Sequence, residues 1–188
     1  MNDANVSAVL GLITDMQPRE PYMLSIDGRC AAGKTTLAAK LSAYLSCAVV
    51  HIDDFYLPFA LRTPERMAKP GGNIDFERLK NEIILPLKSG SDAVYRPYAC
   101  HEDRFLPSVA LSAAKSTIIE GSYSCHPCLA DMLGIKVFMD IAPDKQLSRI
   151  ALRDPGHVEA FRTMWIPREE FYFAECAVRK RCDMVLMN

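Results

Sequence analysis

Nine consecutive residues, Gly28-Arg29-Cys30-Ala31-Ala32-Gly33-Lys34-Thr35-Thr36, set two glycines at the ends of a short span and follow the second with a lysine and two hydroxyls. Glycines so placed let a turn close until its backbone amides face inward, and inward N–H groups at the start of a helix form a seat for an anion. Lys34 would neutralise the outer phosphates of a nucleotide and so take part in catalysis. The Thr35 hydroxyl is placed to reach a magnesium ion bridging the same phosphates. Gly28 through Thr36 is therefore the expected ATP-binding loop.

Two further places carry acidic groups. The β-branched run Ala48 to Ile52 ends in Asp53-Asp54-Phe55-Tyr56, and the run Ser116 to Gly121 carries Glu120 at its end. The end of a buried strand is where an open parallel sheet binds its ligands. One of the two aspartates would take a proton from an acceptor hydroxyl or hold magnesium through water. A solvated turn capping a helix is the other reading, and adjacent side chains on an extended segment face opposite ways, so either Asp53 or Asp54 could face the site. Glu120 is the second expected metal carboxylate, alongside Thr35, with a structural hydrogen bond as the alternative.

Arg149 and Arg153 lie four residues apart, hence on one helix face. Asp154-Pro155-Gly156-His157 then breaks the helix, and Arg162 and Arg168 follow. This is the layout of a mobile lid over roughly 153–168 that brings guanidinium groups above transferring phosphates. Tyr98, His101 and Arg104 could contact an acceptor or could be the surface of a hairpin.

The elements that must position these residues follow from periodicity. Apolar spacing predicts an amphipathic helix over Ala4 to Met16, ended by Pro18, and a strand from Tyr22 to Ile26 with Asp27 opening the loop. A helix follows from Lys34 to Ser46. Residues Leu57 to Asn73, rich in proline and glycine, read as an irregular cover over the strand ends. A helix from Phe76 to Leu87 has Asp75 as capping candidate, and Val94 to Tyr98 is short and extended. Strands at Lys136 to Ile141 and Met184 to Met187 bracket helices that carry the arginines and Phe171-Tyr172-Phe173. Strands alternating with helices predict an α/β fold, a single domain over residues 1–188 with a parallel sheet flanked by helices on both faces.

Composition narrows the class. In 188 residues, 22 basic and 23 acidic side chains leave a formal charge of −1, which points to no nucleic-acid or membrane partner. The first residues, Met1 to Val6, lack a basic export signal, and no apolar run is long enough to span a bilayer, so a cytoplasmic protein is expected. Seven cysteines, an odd number, suit a reducing compartment. Cys125-His126-Pro127-Cys128 lacks the second ligand pair a zinc site needs and the setting of a redox motif, so free thiols are favoured. A homo-oligomer stays open.

Taken together, the loop from Asp27 to Leu37, His51-Ile52-Asp53-Asp54-Phe55-Tyr56-Leu57-Pro58, Arg62-Thr63-Pro64-Glu65-Arg66, Pro70-Gly71-Gly72-Asn73-Ile74-Asp75, Tyr95-Arg96-Pro97-Tyr98 and Ile119-Glu120-Gly121-Ser122-Tyr123 resemble the bacterial uridine kinase-like group of P-loop kinases. Trp165-Ile166-Pro167 and Glu169-Glu170 extend the likeness. The resemblance implies a P-loop NTPase-type fold and an ATP- and magnesium-dependent kinase acting on a hydroxyl of a small molecule, with a nucleoside such as uridine as the first candidate. It implies Asp53 as the base, Tyr56 on the acceptor side, Glu120 at the metal and the lid arginines Arg149 and Arg153. The family's ribose-contacting Phe-Asp-His-Pro-Asp pattern is not reproduced between Pro70 and Asp75, which leaves a sugar or a pantothenate-type alcohol as alternative acceptors. A nucleotide-binding regulatory module without phosphotransfer is the reading from another class.

Overall fold

A computed structural model of the chain describes residues 3–188, so the first two residues of the stretch read for an export signal lie outside it. Five strands form one sheet: β1 (Met23–Gly28), β2 (Ala48–His51), β7 (Thr117–Glu120), β8 (Ile135–Asp140) and β9 (Met184–Met187), in the order β2-β7-β1-β8-β9. Every neighbouring pair is parallel. Four short strands, β3 (Ala93–Tyr95), β4 (Tyr98–Ala99), β5 (Arg104–Phe105) and β6 (Val109–Leu111), pair antiparallel beside it as β3 with β6 and β4 with β5.

The helices cover both faces. On one side α1 (Asp3–Met16) and α2 (Lys34–Leu45) bury Val6, Val9, Leu37 and Leu41 against Leu24, Ile26, Val137 and Met139. On the other, α3 (76–88) and α5 (158–175) bury Leu79, Ile83, Ile84 and Tyr172 against Ile119 and Phe138. Alternation along β1 and β8 thus feeds two cores, as a parallel sheet buried on both faces requires. Between β8 and α5 runs α4 (Pro143–Arg153), and α6 (Val178–Arg181) leads into β9. The architecture is thus a parallel α/β sheet flanked by helices on both faces, as the alternation of strands and helices predicts.

Several boundaries differ from those the sequence suggests. β1 runs on to Gly28, because its pairing with β8 continues to the couple of Gly28 with Met139, so Asp27 belongs to the strand and not to the loop. The helix read over Phe76 to Leu87 contains a π-helical turn, Lys80–Ile84, ahead of Pro86, whose missing N–H cannot serve a regular ladder. A second π turn, Phe161–Trp165, precedes Pro167 in α5. The irregular cover from 57 to 73 holds two single turns, Phe59–Leu61 and Pro64–Met67. All seven cysteines are free, and among the described residues no helix is long and apolar enough to cross a membrane.

Candidate functional site

The register of the sheet brings the chemistry to one edge. Ile26 pairs with Glu120, and Glu120 with His51, so the strand ends that launch the loop, Glu120 and Asp53 lie side by side. Gly28 has φ +130°, and a Cβ there would meet the Met139 carbonyl oxygen at 2.0 Å, so only glycine lets the loop turn against β8. Gly33, with φ 97°, caps α2, whose first amides have no intrahelical partner. The loop's outer side is braced from α4 and beyond: Gln146 donates to the Cys30 carbonyl at 3.2 Å, Arg149 to that of Ala31 at 3.2 Å, and Asn188 to that of Ala32 at 2.6 Å.

A cavity of about 920 Å³ opens over this edge. Cys30, Ala31, Gly33, Lys34, Thr35 and Thr36 line it, as do Asp53, Tyr56, His101, Glu120, Arg149 and Arg153. Lys34, 8% exposed, folds its ammonium onto the carbonyls of Gly28 and Arg29 at 2.7 and 2.9 Å and approaches the Ser122 hydroxyl at 3.3 Å. Thr35 donates to Glu120 Oε1 at 3.0 Å, and His51 Nδ1 lies 2.6 Å from the same oxygen. That contact with Glu120 raises the His51 pKa above its ordinary value.

Asp53 is exposed where it opens onto the cavity, although protein crowds it from several sides. This desolvation, with Glu120 adding to it and Lys34 opposing, raises the Asp53 pKa. Asp54 instead accepts a hydrogen bond from the Tyr95 hydroxyl at 3.0 Å and does not line the cavity. The 3₁₀ turn Ile52–Phe55 that follows β2 makes this division.

Thr35, Glu120 and Asp53 present only oxygen to this part of the wall. Such a set suits a hard cation, and magnesium bound to a nucleotide takes one or two protein ligands and completes its shell with phosphates and water. The residues present fit the ion.

Other expected residues lie elsewhere. Tyr98 is buried with its hydroxyl on Asp103, and Arg104 is exposed and paired with Glu102 at 2.5 Å, so neither reaches the cavity. The β4–β5 hairpin satisfies both side chains locally and offers His101 and Cys100 instead. Arg29 turns out of the cavity to Asp140 at 2.9 Å and Glu170 at 2.7 Å. Arg162 is exposed, and Arg168 lies outside the large cavity with its guanidinium 5.6 Å from the centre of the Trp165 ring.

The sequence reading gave no site role to several wall residues: Ser122, Tyr123, Trp165, Asn188 and, above all, Glu169. Glu169 is 5% exposed; one carboxylate oxygen accepts from the Cys30 amide of the loop at 3.0 Å and the other from the Ser122 hydroxyl. Its spacing from Tyr172, three residues on along the same buried helix face, is the signal that could have marked it.

Comparison with known proteins gives this geometry a context. No family model matches the chain. It is 28% identical over 148 residues to the uridine kinase of Saccharomyces cerevisiae, covering 71% of this chain and 29% of that protein. It is 27% identical over 146 residues to uridine-cytidine kinase B of Dictyostelium discoideum, covering 72% of this chain and 59% of that one. Among solved structures, a possible uridine kinase from Bacillus stearothermophilus superposes with TM-score 0.72 over 96% of both chains at 22% identity. The chain is similar in sequence to these uridine kinases and shares the fold of that solved structure. YFH7 from Saccharomyces cerevisiae, a P-loop-containing protein with a circular permutation, shares the fold with TM-score 0.59 at 12% identity, covering 100% of this chain and 99% of that one. The chain spans between about three-tenths and three-fifths of the length of the curated relatives named here.

Proposed function

We propose that the chain is an ATP- and magnesium-dependent kinase that moves the γ-phosphoryl group to a hydroxyl of a small molecule, a nucleoside in the first instance. The observation that carries this reading is a carboxylate of raised pKa, Asp53, on the wall of the same cavity as the phosphate loop. Phosphoryl transfer asks the protein chiefly for positioning and for charge at the transferring group.

Asp53 accepts the proton of the acceptor hydroxyl as its oxygen bonds to the γ-phosphorus, and ADP departs with the electrons of the broken bond. Lys34 and the loop amides hold the phosphates. Thr35 and Glu120 would hold magnesium, which when bound neutralises charge on the outer phosphates. Arg149 and Arg153 stand over the loop from α4, and 153–168 acts as the lid that excludes water. Tyr56, Tyr123 and Trp165 give the cavity aromatic faces, which favours an acceptor with a planar ring. A cytoplasmic setting goes with the seven free thiols.

The test is ADP release measured with a panel of nucleosides and sugars, with the unaltered protein beside Asp53→Asn. A general base is typically worth about 10²–10⁴ in rate, so the variant is expected to lose acceptor-stimulated turnover on that scale. Turnover unchanged in Asp53→Asn would remove Asp53 from the role of base. Slow ATP hydrolysis that no alcohol accelerates would favour a nucleotide-binding regulatory module instead.

A further inference from the structure

Behind Tyr123 lies a second, smaller pocket of about 50 Å³, bounded by the 67–73 stretch and by α5. Tyr123 lines it and the large cavity alike, so the two share a wall. Besides the Tyr123 phenol, three polar side chains bound it: Lys69, Asn73 and Arg168. Among the described residues neither cation is paired with a carboxylate, whereas Arg29, Arg66, Arg78 and Arg179 each are. Asn73 is 4% exposed, and its amide Nδ2 has no hydrogen-bond partner. A buried donor left unmet costs about 1–3 kcal/mol, so one beside two free cations marks a place built for an acceptor of hydrogen bonds.

The pocket is also fixed relative to the chemistry. The Asn73 carbonyl accepts from the Leu57 amide at 2.8 Å, and the next residue, Ile74, bridges to Tyr56, three positions beyond Asp53. Arg168 is held by its stacking on Trp165, itself a wall of the large cavity. Size restricts the occupant. One water needs roughly 10–15 Å³ by the same measure, so the pocket admits a small head group and excludes a base or a sugar ring.

We infer that this pocket is an anion seat and that its occupant is a carboxylate or phosphate carried by the acceptor alcohol. This rests on the phosphotransfer reading and replaces its first acceptor, because a nucleoside carries no such anion. The acceptor's hydroxyl lies toward Asp53, its body passes Tyr123, and its anionic end meets Lys69, Asn73 and Arg168. Bidentate guanidinium contact and the Asn73 amide suit either oxyanion equally.

Two arms test this. In the first, the phosphate loop is filled with saturating MgADP and inorganic phosphate is titrated in, followed by the emission of Trp165, the single tryptophan of the chain. A saturable change is expected, weakened about tenfold or more by Lys69→Ala, which sits on the surface, and further by Asn73→Asp, which sets like charges together. No saturable change, or one identical in Lys69→Ala, overturns the seat. In the second arm, ATP-dependent ADP release compares pantothenol with pantothenate, and ribulose with ribulose 5-phosphate. The anionic member of at least one pair is expected to have a KM about tenfold lower or better, and the pair that responds identifies carboxylate or phosphate. Equal KM within both pairs overturns the occupant. Failure of every alcohol to stimulate ADP release, with phosphate still titrating in the first arm, overturns the phosphotransfer reading and the acceptor as occupant, and leaves the seat standing.

Discussion

Glu169→Gln is expected to tighten nucleotide binding. In the structure the Glu169 carboxylate rests on the loop itself, accepting from the Cys30 amide at 3.0 Å and from the Ser122 hydroxyl, which also touches Lys34. A triphosphate entering the loop therefore meets a negative charge that already uses one of its amides. A hydrogen bond to a charged group is worth about 1.5–3 kcal/mol and one to a neutral group about 0.5–1.5, so glutamine frees roughly 1–1.5 kcal/mol that the phosphates must otherwise displace. That difference corresponds to about a tenfold fall in the dissociation constant for MgATP. Glutamine keeps the volume and the acceptor for Cys30, so the substitution isolates the charge. Titration calorimetry with MgATP and with MgADP is the assay, and adenosine, which carries no phosphate, is the control expected to be indifferent. Affinity for MgATP that stays the same or weakens would refute the reasoning, because Glu169 would then belong to the nucleotide-bound site instead of competing for it.

Two further outcomes follow from the raised pKa values. Asp53 must be ionised to accept a proton, so the acid limb of the kcat profile is expected above the ordinary carboxylate range near 3.8, with turnover falling as pH drops through it. A limb at the ordinary value, or one retained in Asp53→Asn, would count against the assignment. Tyr172→Phe removes the hydroxyl that donates to Asp27 at 2.7 Å, and should cost about 1–3 kcal/mol, or several degrees in Tm for a chain of this size. Burial pushes the Asp27 pKa up from 3.8 to about 6, so its effect on stability favours the fold below about 3.8 and is lost as pH rises through 6. The lost donor serves the ionised form, so the deficit should be larger at pH 7.5 than at pH 4.5 in denaturation curves. An equal deficit at both would contradict this.

The loop was legible in the sequence because its geometry is local: glycine, lysine and threonine at fixed offsets behind an apolar run dictate the turn almost by themselves. The parallel sheet was legible for a similar reason, since each β-branched run is short and bounded by turns. Whether Asp53 or Asp54 faces the site was not, because the answer depends on a 3₁₀ turn and on Tyr95, forty-one positions away in the chain, claiming Asp54. Tyr98 and Arg104 stayed open between acceptor contact and hairpin surface for the opposite reason. A hairpin can satisfy such side chains with its own neighbours, here Asp103 and Glu102, and nothing in spacing reveals that. Glu169 was hidden because a glutamate on a helix reads as a solvated face until the fold buries it against the loop.

Asp27 ties these parts together. Alternation along β1 sends Leu24 and Ile26 to one core and leaves Ser25 and Asp27 facing the other side, where Asp27 is fully buried. One of its oxygens accepts from the amides of Gly28 at 2.6 Å and Tyr123 at 3.2 Å, the other from the Cys125 amide at 2.8 Å and the Tyr172 hydroxyl. Four donors and no acceptor can be satisfied only by an ionised carboxylate, the form present at neutral pH with a pKa of about 6. The start of the phosphate loop, the turn carrying Glu120, Ser122 and Tyr123, and the helix carrying Glu169 are thereby pinned to one charge. The hydrogen bond from Thr35 to Glu120 at 3.0 Å lies at this pinned edge. The proposed lid over 153–168 places His157, Phe161 and Trp165 on the cavity wall, and none of the three bonds to Asp27.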